Sequence, residues 1–121
     1  MHYLALEIFL VIYLIEMDKE NPTLYYNRGV VFYHTGESDC ALKDFNKAID
    51  IDNFDPNYYF NRGNTYLAID NYPKAYQDFE KAISLAPNNA KFYHSGRFFN
   101  KTDNVLACFF VVKYDRQYFA I

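Results

Sequence analysis

The sequence predicts an all-α fold built from antiparallel helix-turn-helix hairpins stacked side by side, and three observations carry that prediction. The chain repeats itself at a spacing of 34 residues. Each repeat divides into two stretches of apolar residues at helical spacing. Only 4 Gly and 4 Pro in 121 residues leave little turn material for a many-stranded β domain. At 121 residues the chain is long enough for one domain with a modest core and too short for two.

The repeat is found by sliding the chain against itself, because a missed repeat misassigns the whole fold. A shift of 34 places Pro22 on Pro56, Tyr25 on Tyr59, and Asn27-Arg28-Gly29 on Asn61-Arg62-Gly63. Ala41, Asp44, Phe45, Lys47, Ala48 and Ile49 then fall on Ala75, Asp78, Phe79, Lys81, Ala82 and Ile83. Eleven of 34 positions are identical in one register, against about two expected by chance at ordinary composition.

In chain order, the first element is the apolar run Leu4 to Ile15. At about twelve residues, broken by Glu7, it is shorter than the roughly 20 needed to span a bilayer. It also lacks the basic start of a signal peptide, so it reads as a buried helix and argues against a membrane. Leu14 to Pro22 continues in register with Ala48 to Pro56, making the run the second helix of a partial unit, residues 1–21. Glu7 and Val11 stand there at the places of Ala41 and Phe45.

Repeat 1 spans 22–55 and repeat 2 spans 56–89. Pro22 and Pro56 suit a first helical turn, where a missing N–H costs nothing. Leu24, Tyr25, Arg28, Val31 and Phe32 recur on one helical face. Gly36-Glu37-Ser38 and Asp70-Asn71-Tyr72 form short turns. Ser38 or Asp39 would cap the next helix, and Pro73 would sit in the first turn of its counterpart. The second helices run Cys40 to Ile51 and Lys74 to Leu85, with small alanines alternating with phenylalanines as close helix packing requires. Gly29 and Gly63 cost about 1 kcal/mol each against Ala in a helix, so they need a packing reason, namely close approach of the hairpin's other helix.

Residues 90–121 read as a degenerate third unit or cap. Lys91 to Phe99 opens a third first helix with Gly96 one residue early, and the pattern fails after Asn100-Lys101-Thr102-Asp103-Asn104. Cys108 to Val112 and Tyr118-Phe119 are β-prone. The tail is a distorted capping helix, which we favour, a strand-like extension, or the remnant of a truncated reading frame. Both ends are thus apolar where a solenoid end is normally polar. Either they fold back on the chain or they drive self-association.

On these residues the chain resembles the tetratricopeptide-repeat family, whose pattern runs aromatic, x2, Leu-Gly, x2, aromatic, then Ala-x3-Phe and Pro. Here Tyr25 to Phe32 leads to Ala41 to Phe45, and Tyr59 to Tyr66 leads to Ala75 to Phe79 and Pro87. Tyr replaces Trp and Arg replaces Leu. The resemblance implies a short right-handed solenoid with first helices lining a concave groove that holds an extended peptide or a partner's helix. Matching positions are Tyr26, Asn27, Val30, Tyr33 and His34, then Asn57, Phe60, Asn61, Asn64 and Ala68, with Lys91 and His94 in the third unit. Asn27 and Asn61 stand out, since a carboxamide both donates and accepts and can pair with a peptide backbone whatever its sequence. A subclass of the family grips a C-terminal carboxylate with a Lys/Asn/Arg clamp. Only Asn61 and Lys91 match it; Tyr26, Val30 and Ser95 occupy its other places.

The remaining chemistry is sparse. A net charge of −3 and a pI near 5.5 argue against a nucleic-acid module, which needs a clustered basic surface. Cys40 and Cys108 are too few for a disulfide framework and read as reduced thiols in an intracellular, cytoplasmic protein. No metal site is expected: His34 with Glu37 is an isolated pair, and Asp50, Asp52 and Asp55 lack the Gly and closing Glu of a calcium loop. No phosphate-cradling loop or nucleophile motif is present. The sequence therefore points to a non-enzymatic, cofactor-free protein-interaction module with a protein or peptide partner. The alternative is a structural fragment that homo-oligomerises through its apolar ends.

Overall fold

The computed structural model describes residues 2–89, 91 and 92, with side chains from residue 5 onward. Among these, five helices and no strand are present: α1 His2–Met17, α2 Pro22–His34, α3 Ser38–Ile51, α4 Pro56–Ala68 and α5 Tyr72–Leu85. Helices α2 and α3 form one hairpin and α4 and α5 a second; α3 packs on α4, and α1 lies on α2. The expectation for residues 93–121 lies outside the described residues.

Local chemistry sets the helix starts. Asn21 and Asp55 each accept a hydrogen bond from the backbone N–H two residues on, with Pro22 and Pro56 opening the helix behind them. The second helices begin two residues earlier than expected, at Ser38 and Tyr72. The cap of α3 is Glu37, which makes no side-chain capping bond, rather than Ser38 or Asp39. The left-handed Gly36 (φ 82°) closes the turn so tightly that Ser38 already lies inside the helix. Its counterpart Asp70 adopts φ 60° at the same place in the second turn.

The core repeats with the sequence. Ala41, Phe45 and Ala48 in α3, and Ala75, Phe79 and Ala82 in α5, are fully buried. The rings of Phe45 and Phe79 lie against Gly29 and Gly63. A Cβ there would stand 2.7 and 2.8 Å from ring carbons, so only glycine permits this approach. Beside each ring an ion pair ties the hairpin: Arg28 to Asp44 and Arg62 to Asp78, each through two hydrogen bonds of 2.7–2.8 Å. Both carboxylates are buried. Tyr25 and Tyr59 donate to the carbonyls of Lys19 and Asn53, joining each hairpin to the loop before it.

Helix α1 corrects one expectation. It is a helix, but not a buried one. Ile15 is buried and Ile8 and Val11 partly so, whereas Leu6, Phe9, Leu10, Tyr13 and Met17 are 58–72% exposed. The reason lies in register. The places at which α3 buries Ala41, Asp44, Phe45 and Ala48 against α2 carry Glu7, Leu10, Val11 and Leu14 in α1, and no described helix precedes α1 to cover them. Apolar composition does not bury a helix unless a second surface covers it. Among the described residues no helix is long and apolar enough to cross a membrane.

Candidate functional site

Of the residues expected to line a groove, Tyr26, Asn57, Phe60, Asn61 and Lys91 come together across α2, α4 and the short helical segment at 91–92, though not all are open. Asn57, Phe60, Asn61 and Asn64 recur at spacings of three and four along α4 and so share one face. Asn61 spends both carboxamide hydrogens: Nδ2 donates to the Tyr26 hydroxyl at 2.8 Å and to the Asn57 carbonyl at 3.0 Å. Its Oδ1 remains to accept. Lys91 Nζ donates to Asn57 Oδ1 at 2.8 Å and lies over the rings of Phe60 and Phe92, 5.1 and 5.2 Å from their centroids. These contacts form a continuous polar row from Tyr26 through Asn61 and Asn57 to Lys91.

Tyr26 anchors the row. Its ring lies 5.0 Å from that of Tyr58 and 6.0 Å from that of Phe45. Burial, aided by the charge of Asp55, pushes its hydroxyl above the usual tyrosine value against the pull of the Asn61 bond. The hydroxyl therefore stays neutral, accepting from Asn61 and keeping its own hydrogen to donate.

Phe60 is 8% exposed and packs against Phe79 and Phe92, with ring centroids 5.8 and 5.0 Å away. It is a packed core side chain rather than a free surface. Tyr33 and His34 stack edge to face at the end of α2, 5.3 Å apart, away from the polar row. Asn64 is half-buried one turn beyond Asn61, and Ala68 is exposed at the end of α4. His94 lies outside the described residues.

Asn27 and Asn61 share a register but not an environment. Asn61 reaches Tyr26, the residue 35 positions earlier in the preceding hairpin. No first helix precedes α2 among the described residues, so Asn27 has no such partner and is exposed. It lies instead, with Tyr26, Val30 and Val31, on the wall of a mainly apolar cavity of about 420 Å³ whose far wall is Glu7, Leu10 and Val11 of α1. Those three α1 residues were not among the sequence candidates. The alignment of α1 with the second helices is the signal that could have found them, since that places them beside a first helix.

The comparisons with known proteins identify the repeat. The tetratricopeptide repeat profile matches residues 56–89, and a second TPR repeat profile matches residues 31–70. The chain belongs to the tetratricopeptide-repeat family. No curated protein matches the sequence. Among solved structures, the chain is similar to MamA, with a TM-score of 0.75 at 23% identity over 88% of this chain. It spans 64% of the length of MamA. It is similar to the Arabidopsis OM64 TPR domain, with a TM-score of 0.74 at 26% identity over 78% of each chain. It is also similar to the first TPR of Spaghetti (RPAP3), bound to the HSP90 peptide SRMEEVD, with a TM-score of 0.74 at 24% identity over 78% of this chain and 77% of that one.

Proposed function

We propose that the chain is a non-enzymatic protein-interaction module, with 22–55 and 56–89 as its complete units, that holds an extended peptide or helical segment of a partner protein along the first helices. The observation that carries this reading is the polar row Tyr26–Asn61–Asn57–Lys91 beside the α1/α2 cavity. The row leaves a hydroxyl hydrogen on Tyr26, an acceptor on Asn61 and amide hydrogens on Asn57, and the cavity wall adds the carboxamide of Asn27. Such alternating donors and acceptors suit the N–H and C=O groups of a peptide backbone. The cavity takes one apolar side chain of the same segment, with Glu7 at its edge. Structural relatives bound to HSP90 and HSP70 peptides support peptide binding as the class of function.

The ligand differs from those peptides, which end in Glu-Glu-Val-Asp. A carboxylate end needs several cations, and among the described residues of this groove Lys91 stands without a second one. Arg28 and Arg62 are committed to Asp44 and Asp78, and Glu7 and Asp55 add negative charge nearby. The segment bound is therefore neutral or weakly basic near α1.

Selection from a random peptide library followed by calorimetry tests this. Selected peptides should bind the native chain and lose at least tenfold in affinity to an Asn27→Ala/Lys91→Ala variant of unchanged helicity. SRMEEVD should bind at least tenfold more weakly than they do. Equal binding to the variant, or no selected peptide, refutes the groove reading; tighter binding of SRMEEVD refutes the ligand class.

A further inference from the structure

Among the described residues, the open face of α1 is an apolar surface that the polar row leaves unexplained. At 100° per residue, Leu6, Phe9, Leu10, Tyr13 and Met17 share one side of the helix, opposite the Ile8, Val11 and Ile15 side that meets α2. Their exposures are 65, 72, 58, 61 and 71%. Leu6, Leu10, Tyr13 and Met17 follow one another at spacings of four, three and four. That is the seam spacing by which one helix lays its side chains between those of another. The face is shaped for a helix.

We propose that its occupant is α1 of a second copy of this chain, the two helices lying antiparallel about a two-fold axis. An antiparallel register sets Leu6 against Met17 of the other copy and Leu10 against its Tyr13, so each layer is apolar and the surface complements itself. The charged residues of α1 are Glu7 and Glu16. They flank the stripe on opposite sides, so this pairing brings neither against its counterpart, and antiparallel helix dipoles attract. Leu6, Phe9, Leu10, Tyr13 and Met17 are each at least 58% exposed on this sixteen-residue helix. Together they exceed the few hundred Å² that a monomer ordinarily leaves open. Leu10 belongs both to this stripe and to the cavity wall, whereas Phe9, Tyr13 and Met17 line neither the polar row nor the cavity.

Sedimentation of the full chain between 1 and 100 µM tests the pairing. The native chain should sediment as two copies, and so should Ile12→Glu, whose side chain lies on the flank. Phe9→Glu/Tyr13→Glu should be monomeric over the same range, its dissociation constant raised at least tenfold with unchanged helicity. A monomeric native chain overturns the proposal, whether the face is covered by residues 93–121, by a foreign helix, or by phosphatidylcholine vesicles with which the monomer floats. A dimer indifferent to the seam substitutions overturns it equally. If the double variant fails to fold, Leu6→Cys/Met17→Cys in a Cys40→Ser/Cys108→Ser background decides the matter. The two positions stand about 16 Å apart within one helix, so disulfides joining 6 to 17 must cross between copies and support antiparallel pairing. Links from 6 to 6, or none, refute it.

Discussion

Arg62 and Asp78 form an ion pair in which a single side chain holds a buried charge. The carboxylate is buried and held by two guanidinium hydrogen bonds of 2.7 and 2.8 Å, while the arginine also reaches Asn46 in the preceding hairpin. Burial lifts the Asp78 carboxyl above the usual range against the pull of Arg62. Removing the cation alone strands that carboxyl in an apolar setting. Arg62→Met should therefore cost about 3 kcal/mol in denaturant unfolding. The double change Arg62→Met/Asp78→Leu should cost much less, because nothing charged is then left buried. Equal costs for the single and double changes would show that the arginine stem, not the charge, matters. The identities of Arg28, Arg62, Asp44 and Asp78 were plain in the repeat, yet their pairing was not. Sixteen residues separate the partners, and only the hairpin's closure at Gly29 and Gly63 brings them together.

At the scale of the element, the two hairpins differ most at the start of their second helices. The Asn71 side chain caps α5 by accepting from the Lys74 N–H at 3.5 Å, whereas the Glu37 side chain, at the matching place before α3, makes no capping bond. Glu37→Asn should give α3 the same cap and raise stability by about 0.5–1 kcal/mol, read as a higher thermal midpoint without loss of helicity. An unchanged midpoint would mean that the Gly36 turn holds the backbone out of capping geometry. The helices themselves were legible, because prolines, alanine-phenylalanine alternation and 34-residue register are all local signals. The cap was not, since it depends on where the turn closes. Nor was the exposure of α1, because apolar residues report a preference for burial and say nothing about whether a covering surface exists. The shared face of α4 was legible in the spacing of Asn57, Phe60 and Asn61, but its exposure was not: Phe60 is drawn inward by Phe79 and Phe92.

For the molecule as a whole, tyrosine is the structural currency: 13 of 121 residues, with no tryptophan. Burial raises the hydroxyls of Tyr26, Tyr58 and Tyr59 above their ordinary value near 10. The unfolded chain gives up these protons first, so between the unfolded and folded values the native state binds more protons and stability falls as pH rises. Unfolding free energy should thus be insensitive to these groups at pH 7–9 and decline above about pH 10. Tyrosinate absorbance should show a late-ionising class that Tyr26→Phe reduces; coincident titration of all tyrosines would contradict this. Two of the hydroxyl bonds have a wider consequence. Tyr25 and Tyr59 each grasp the sixth residue before them by its carbonyl, and those residues, Lys19 and Asn53, are unlike in size and charge. The joint between successive hairpins is thereby written into an atom that every amino acid carries. Mutation can rewrite the connecting loops and the surfaces they present without loosening the hinge they cross, so recognition is free to drift while the frame stays fixed.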